Sequence, residues 1–287
     1  MSMNGKYIQA ESLDEALEVL AKYGDEAKVV AGGTAITLML EHQLITPNVL
    51  LSIGAIPGLD RLDLTDRGLQ IGPLVALRSM EKSAEVTRRF PALAIACGSV
   101  GNVRVRNQAT LGGNLGEADY ASDPPTVLSI LDAEVHVTRQ SGTRIIPISD
   151  FFYGFFTTAM EPEEIITSIF IPAMPEGSRT SYLKYKSRSS EDRPCVGVAA
   201  LAKMENGRCK DLRVAVGAAC EIPQRLYEVE ALAKDQALSD ELITEIAEIY
   251  AKEIQTLEDL RGSAWYRKQM IQVHVSRALV EVRNGHR

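Results

Sequence analysis

The 287 residues are 45% hydrophobic and 24% charged, which describes a globular chain long enough for two or three units with buried cores. A net charge of −7 argues against nucleic acid as the principal partner, and no apolar run approaches the ~20 residues that span a bilayer. The start, MSMNGKYIQA, has no signal-peptide pattern, so a cytoplasmic location is expected.

The chain opens as a small α/β unit. Ser12 before Leu13-Asp14-Glu15 reads as a capping box, and Leu13, Ala16, Leu17 and Leu20 form the apolar stripe of a helix ending at Gly24. Ala27 to Ala31 is a short buried strand, Thr34 to Glu41 a helix and Asn48 to Ser52 a strand, together a βαβ-type arrangement. A mixed region follows, with a strand at Gly68 to Gly72 and helices at Ser79 to Thr87 and Pro91 to Gly98. Asp123-Pro124-Pro125 is a helix entry with proline in the first turn, for a helix ending near Leu131. Glu134 to Thr138 and Thr143 to Ile146 form a hairpin, and Ile165 to Ile171 is a strand closed by Pro172. After the proline-bearing stretch 172–179 come strands at Ser181 to Lys186, Val196 to Met204 and Leu212 to Gly217. Asn206-Gly207 is the hairpin signal between the last two. Helices at Ser239 to Ile254 and Ala264 to Val282 close the chain.

Two glycine-bearing turns stand out: Ala31-Gly32-Gly33-Thr34-Ala35 and Thr110-Leu111-Gly112-Gly113-Asn114. Paired glycines admit sharp turns and close backbone approach, and such turns expose N–H groups that neutralise phosphate without a lysine. Two of them converging on one diphosphate would make the chain a dinucleotide holder, although G-x-G-x-x-G and the P-loop motif are both missing. Taken singly, Gly32-Gly33 reads equally well as a plain strand-to-helix turn. Cys97, Cys195, Cys209 and Cys220 are scattered without a C-x-x-C pair, and His42, His136, His274 and His286 are equally dispersed. Neither a zinc site nor an iron–sulfur cluster is therefore expected in this chain.

The runs Lys28-Val29-Val30-Ala31-Gly32-Gly33-Thr34, Val105-Arg106-Asn107-Gln108-Ala109-Thr110-Leu111-Gly112-Gly113-Asn114 and Asp123-Pro124-Pro125 carry a resemblance. They are similar to the FAD-binding subunit of the molybdenum hydroxylases, a group that includes xanthine dehydrogenases and the medium subunit of aerobic carbon monoxide dehydrogenases. The resemblance covers nearly the whole chain. It implies an α+β protein: a two-subdomain FAD-binding domain of the vanillyl-alcohol-oxidase type, at 1–57 and 58–175, then a C-terminal domain at 180–287 with a three-stranded antiparallel sheet plus helices.

The same resemblance implies that both turns wrap the FAD diphosphate. The cofactor contacts would come from Lys28, Val29, Val30, Ala31, Gly32, Gly33, Thr34 and Ala35 in the first turn and from Thr110, Leu111, Gly112, Gly113 and Asn114 in the second. Backbone N–H groups of Gly32, Gly33, Thr34, Ala35, Gly112 and Gly113 would serve as donors, with Thr110 and Asn114 adding side-chain bonds. Asp123 matches an aspartate that bonds the polyol or ribose region, and its alternative is the N-cap of the following helix. Ile166 matches an apolar contact to the flavin or its nucleotide, or else belongs to the core. Val100 stands where relatives often carry a larger side chain near the cofactor. Lys184 matches a lysine beside the isoalloxazine, where a cation raises the flavin potential; otherwise it is a surface lysine. The run Arg188 to Arg193 resembles a loop by the flavin, with Arg193 where relatives often carry tyrosine or isoleucine. Arg104 and Arg106 either face the phosphates or make salt bridges.

The function implied is that of an electron-transfer flavoprotein within a heteromeric molybdenum hydroxylase. A large subunit would hold the molybdopterin cofactor and a small subunit two [2Fe-2S] clusters, in a dimer of heterotrimers. A self-sufficient FAD-dependent oxidase or reductase is the alternative, and a nucleotide-binding scaffold without redox chemistry is the simplest one. No Ser-His-Asp, Cys-His or paired-carboxylate arrangement marks a catalytic residue in the chain.

Overall fold

The computed structural model describes residues 5–189 and 191–285. The first unit runs β1 (Lys6–Gln9), α1 (Leu13–Tyr23), β2 (Ala27–Val30), α2 (Thr34–Glu41) and β3 (Val49–Ser52). Its parallel sheet has the order β1-β3-β2. The Ser12 hydroxyl accepts the Glu15 N–H, and the Glu15 carboxylate accepts the Glu11 N–H, so both donors at this helix entry are met. Ala16, Leu17 and Leu20 then pack on Leu51 and Ile53. The edge strand β1 is an addition to the sequence reading. Its mostly exposed Lys-Tyr-Ile-Gln pattern carries little hydrophobic signal because only one side of it is paired.

The second unit comprises β4 (Leu62–Thr65), β5 (Gly68–Ile71), six helices, and then β6 (Glu134–Arg139), β7 (Gly142–Pro147), β8 (Phe152–Gly154), β9 (Thr157–Thr158) and β10 (Ile165–Pro172). The helices are α3 (Leu77–Lys82), α4 (Ala84–Arg89), α5 (Pro91–Ser99), α6 (Val103–Gln108), α7 (Leu111–Glu117) and α8 (Pro124–Ile130). The antiparallel sheet has the order β4-β5-β10-β6-β7. The single helix expected over 79–87 is two, because Ser83 leaves helical backbone (ψ 117°) and its hydroxyl caps Val86 N–H. Serine competes with the helical ladder in this way.

The third unit comprises β11 (Ser178–Tyr185), β12 (Val196–Glu205), β13 (Arg208–Gly217), β14 (Gln224–Arg225), α9 (Tyr227–Glu230), α10 (Asp240–Glu253) and α11 (Ala264–Asn284). Asn206 and Gly207 both take positive φ, at 50° and 75°, as the tightest hairpin turn requires. The sheet has four strands, in the order β11-β12-β13-β14, where three were expected. The fourth is a two-residue strand, too short to show alternation.

This last sheet is buried on both sides. Val196, Val198, Ala200, Val214 and Val216 face Ile246, Tyr250, Ile271 and Val275 of α10 and α11, while Ala199, Leu201 and Ala215 join the core of the second unit. Gly197 and Gly217 oppose each other across β12 and β13. A Cβ on Gly217 would stand 2.0 Å from Thr126 Oγ1 of α8, and one on Gly197 would stand 2.9 Å from the Tyr182 hydroxyl.

Candidate functional site

The first glycine turn delivers the chain from β2 into α2. Gly33 is left-handed (φ 73°) at the N-cap, and Thr37 both donates its N–H to Gly33 O and bonds it through its hydroxyl. The N–H groups of Thr34, Ala35 and Ile36 precede that first helical bond, so they are the helix's free donors. With the positive end of the helix dipole they form an anion-directed array. Gly32 lies against the other turn: a Cβ there would be 1.8 Å from Gln108 O. Gly113 in turn lies near Ala31, whose Cβ is 3.6 Å from the position a Cβ would take. The structure thus brings the two turns into contact.

The second glycine run is not a loop but the first turn of α7. Thr110 is its N-cap, and its hydroxyl accepts the Gly113 N–H at 3.0 Å. Leu111 N–H bonds Val75 O, Gly112 N–H bonds Pro73 O, and Asn114 N–H bonds Thr110 O. The expectation that Gly112 and Gly113 donate their N–H groups to a diphosphate is corrected here, since both are committed within the protein. Glycine at 112 is required for packing instead: a Cβ would stand 2.4 Å from Pro73 Cβ. The Asn114 side-chain amide oxygen accepts the Ser122 hydroxyl. Between the first and second units lies a cleft of about 430 Å³, walled by Ala31 and Gly32, by Gly54 and Ala55, and by Gln108 and Thr110. Lys28, Val29 and Val30 belong to β2, which leads to its edge.

Asp123 and Lys184, 61 positions apart, meet in a buried ion pair at 2.8 Å, their side chains only 3% and 6% exposed. Lys184 also donates to Ser99 O, and the Tyr182 hydroxyl donates to the other Asp123 oxygen at 2.6 Å. The N-cap alternative for Asp123 fails, because its side chain makes no capping bond; so does the surface reading of Lys184. Burial pushes the Asp123 carboxyl above its ordinary range, against the pull of Lys184 and Tyr182. Burial and the Asp123 charge push the Tyr182 hydroxyl far up as well. Tyr182 escaped the sequence reading although its signal was present: it is two residues from Lys184 on one strand, hence on the same face.

Ile166 is a core residue, and its Cδ1 lies under Gly116 of α7. Val100 packs partly buried against the same core, and its carbonyl accepts an Arg106 N–H. Arg106 also bonds Gly101 O and Glu81, which resolves it as a salt-bridging residue that fixes the 99–102 turn. Burial opposes ionisation of Glu81, but the Arg106 and Arg78 hydrogen bonds prevail and hold its carboxyl below the usual range.

The loop after β11 reaches back to the second unit. Arg193 pairs with Asp119 at 3.0 Å, Asn102 donates to Glu191, and Arg188 donates to Leu260 O. Ser190 of this loop and His286 lie outside the described residues. Glu117, at the end of α7, was not singled out in the sequence. Burial, then the neighbouring Asp119, raises its carboxyl to about 7, against the pull of Arg193 and Lys28. Among the described residues no cluster of three or more His, Cys, Asp or Glu is arranged to hold a metal, and no helix is long and apolar enough to cross a membrane. All four cysteines are buried free thiols.

The sequence matches two family profiles: the FAD binding domain in molybdopterin dehydrogenase over residues 2–174 and the CO dehydrogenase flavoprotein C-terminal domain over residues 181–282. The glyceraldehyde dehydrogenase medium chain of Sulfolobus acidocaldarius is 33% identical over 276 residues, spanning 96% of this chain and 97% of that one. The xanthine dehydrogenase FAD-binding subunit of Escherichia coli O157:H7 is 28% identical, across 96% of this chain and 94% of its own length. Among solved structures, carbon monoxide dehydrogenase from Hydrogenophaga pseudoflava, in a form lacking the Mo-pyranopterin moiety, superposes with a TM-score of 0.94 at 28% identity. That match covers 97% of this chain and 96% of the other.

Proposed function

We propose a specific role for this chain, which belongs to the family of FAD-binding medium subunits of molybdopterin dehydrogenases and is an oxidoreductase component: it holds FAD and carries electrons between a partner's [2Fe-2S] clusters and an external acceptor. One observation supports the reading above all others. Unbonded N–H groups at the start of α2 adjoin a cleft whose opposite wall is the Gln108 backbone, pressed onto Gly32 too closely for any side chain. Such a cradle suits a diphosphate.

Residues 28–35 of the first turn, with Thr110 and Asn114 across from them, would hold the dinucleotide. Asp123, Lys184, Val100 and Ile166 would line or support the flavin side. FAD, when bound, supplies reversible electron-carrier chemistry that the side chains here lack. The protein's contribution is to fix the diphosphate, exclude water with the α5, α7 and α8 core, and present a buried, charge-matched pair. The relatives are named as medium chains and subunits of dehydrogenases, which supports a large molybdopterin-binding subunit, a small [2Fe-2S] subunit and a paired heterotrimer as partners.

The test is purification of the chain alone and with its neighbours. The isolated chain should release FAD on acid extraction and show no substrate oxidation. In the assembled complex, substrate should bleach cluster and flavin absorbance together. Substrate turnover by the isolated, metal-free chain would overturn the reading in favour of a self-sufficient oxidase.

A further inference from the structure

We infer that Arg106 is a positioning residue for the Lys184 ammonium: it locks the turn between α5 and α6, and that turn holds the cation in place on the flavin side. The inference rests on the reading that Lys184 and Val100 lie on that side. An ammonium has three N–H donors. Lys184 gives one to Asp123 Oδ2 at 2.8 Å and one to Ser99 O at 2.7 Å. The third finds no acceptor among the described residues, in a side chain only 6% exposed. A buried donor left open in this way suits a polar atom of a bound group.

Where that donor points depends on the two acceptors that hold the others. Asp123 is fixed from its far side by Tyr182, whose hydroxyl bonds the second carboxylate oxygen. Ser99 is the last residue of α5, so its carbonyl holds Lys184 only while the turn that follows stays in place. The Val100 and Gly101 carbonyls of that turn both accept Arg106 Nη1, at 3.1 and 3.0 Å, and Gly101 is left-handed at φ 47°. Arg106 is itself held. Its Nε bonds Glu81 Oε2 at 2.8 Å, and Arg78 engages the other Glu81 oxygen at 2.7 Å. The guanidinium thus meets three acceptors from one planar fork, which a lysine cannot reproduce. Without that fork the turn loosens, Ser99 O withdraws, and the ammonium settles onto Asp123, whose charge then cancels more of its field.

The test uses the full chain with its FAD and takes two readouts. The first is acylation of Lys184 by an N-hydroxysuccinimide ester, followed by peptide mass spectrometry. Arg106→Gln and Arg106→Lys should each raise the Lys184 rate about tenfold over the parent, the factor that one charge-assisted hydrogen bond carries. The second is the midpoint potential of the flavin. Arg106→Lys keeps the positive charge, so a shift in that variant reports geometry. Its potential should fall, by less than in Lys184→Met, and adding Arg106→Lys to Lys184→Met should lower it no further. Unchanged Lys184 reactivity in either variant would overturn the inference. So would an Arg106→Lys potential equal to the parent's where Lys184→Met shifts it, or a shift that adds fully to that of Lys184→Met. A Lys184→Met potential equal to the parent's would instead overturn the placement of Lys184 beside the flavin, and the acylation rates would still decide whether Arg106 positions it.

Discussion

Gly32 lies so close to Gln108 that a Cβ on the glycine would stand 1.8 Å from the Gln108 carbonyl oxygen. This contact, backbone on backbone, is where the two glycine runs become one surface. Gly33, its neighbour, has no atom nearer than 3.8 Å to its missing Cβ but sits at φ 73°. Adjacent glycines are thus required for different reasons.

Gly32→Ala should therefore separate the turns, costing about 3 kcal/mol or more, at the upper end of single-site effects, and abolish FAD retention. Gly33→Ala should cost only about 1–2 kcal/mol of left-handed strain. Denaturant unfolding with acid-extracted flavin per chain checks both. A Gly32→Ala protein with full flavin content would refute the close-packing argument.

The Asp123–Lys184 pair gives a second expectation. Lys184→Met leaves a carboxylate buried without its cation, a loss of roughly 3–5 kcal/mol. Adding Asp123→Asn should recover most of that loss, because the uncompensated charge is then gone. A double-mutant cycle in urea measures the coupling. Additive effects would mean that the two residues act independently.

Asp259 accepts the Arg261 backbone N–H at 2.7 Å, and also accepts from Tyr120, from the fully buried Arg267 side chain and from the Arg261 guanidinium. Although burial opposes it, these bonds bring the Asp259 carboxyl down to about 2. A carboxyl lowered on folding stabilises above its unfolded value, near 4, and that contribution is lost as pH falls towards 2. Asp259→Asn should be markedly less stable at pH 7 and should lose less stability than the parent between pH 4 and 2. Thermal melts across that range provide the comparison.

Thr110→Ala removes the cap of α7 and should cost about 1 kcal/mol, whereas Thr110→Ser should be near neutral. Equal stability of all three proteins would show that the Gly113 N–H is satisfied in some other way.

Much of the architecture is legible where a residue has one physical use. The Ser12 cap with its stripe of leucines, the Asn206-Gly207 turn and the continuous apolar run of β12 each follow from local chemistry. The glycine runs locate the cleft for the same reason, since close approach has few other solutions. What escapes is whatever depends on distant partners. Gly112 and Gly113 read as a loop because glycine is a poor helix former, yet Thr110 and the Pro73 carbonyl secure a helix there. For Asp123 the sequence leaves a cofactor contact and, as the alternative, a cap for the prolines beside it; it gives no sign that Tyr182 and Lys184, some sixty residues on, bond both carboxylate oxygens. The buried Arg267 is invisible in sequence, because its acceptors are the Cys195 and Ala218 carbonyls and Asp259.

The glycines facing each other across β12 and β13 bear on inheritance. Position 217 is filled by Thr126 from the FAD-binding half, and position 197 by the hydroxyl that holds Asp123 of that half. The C-terminal unit thus carries an imprint of one particular helix, and the two halves are matched parts rather than interchangeable modules. Chimaeras that join this C-terminal unit to the first half of a 28%-identical relative should fold each part and yet fail at the joint, unless the residues seated on those two glycines travel with it.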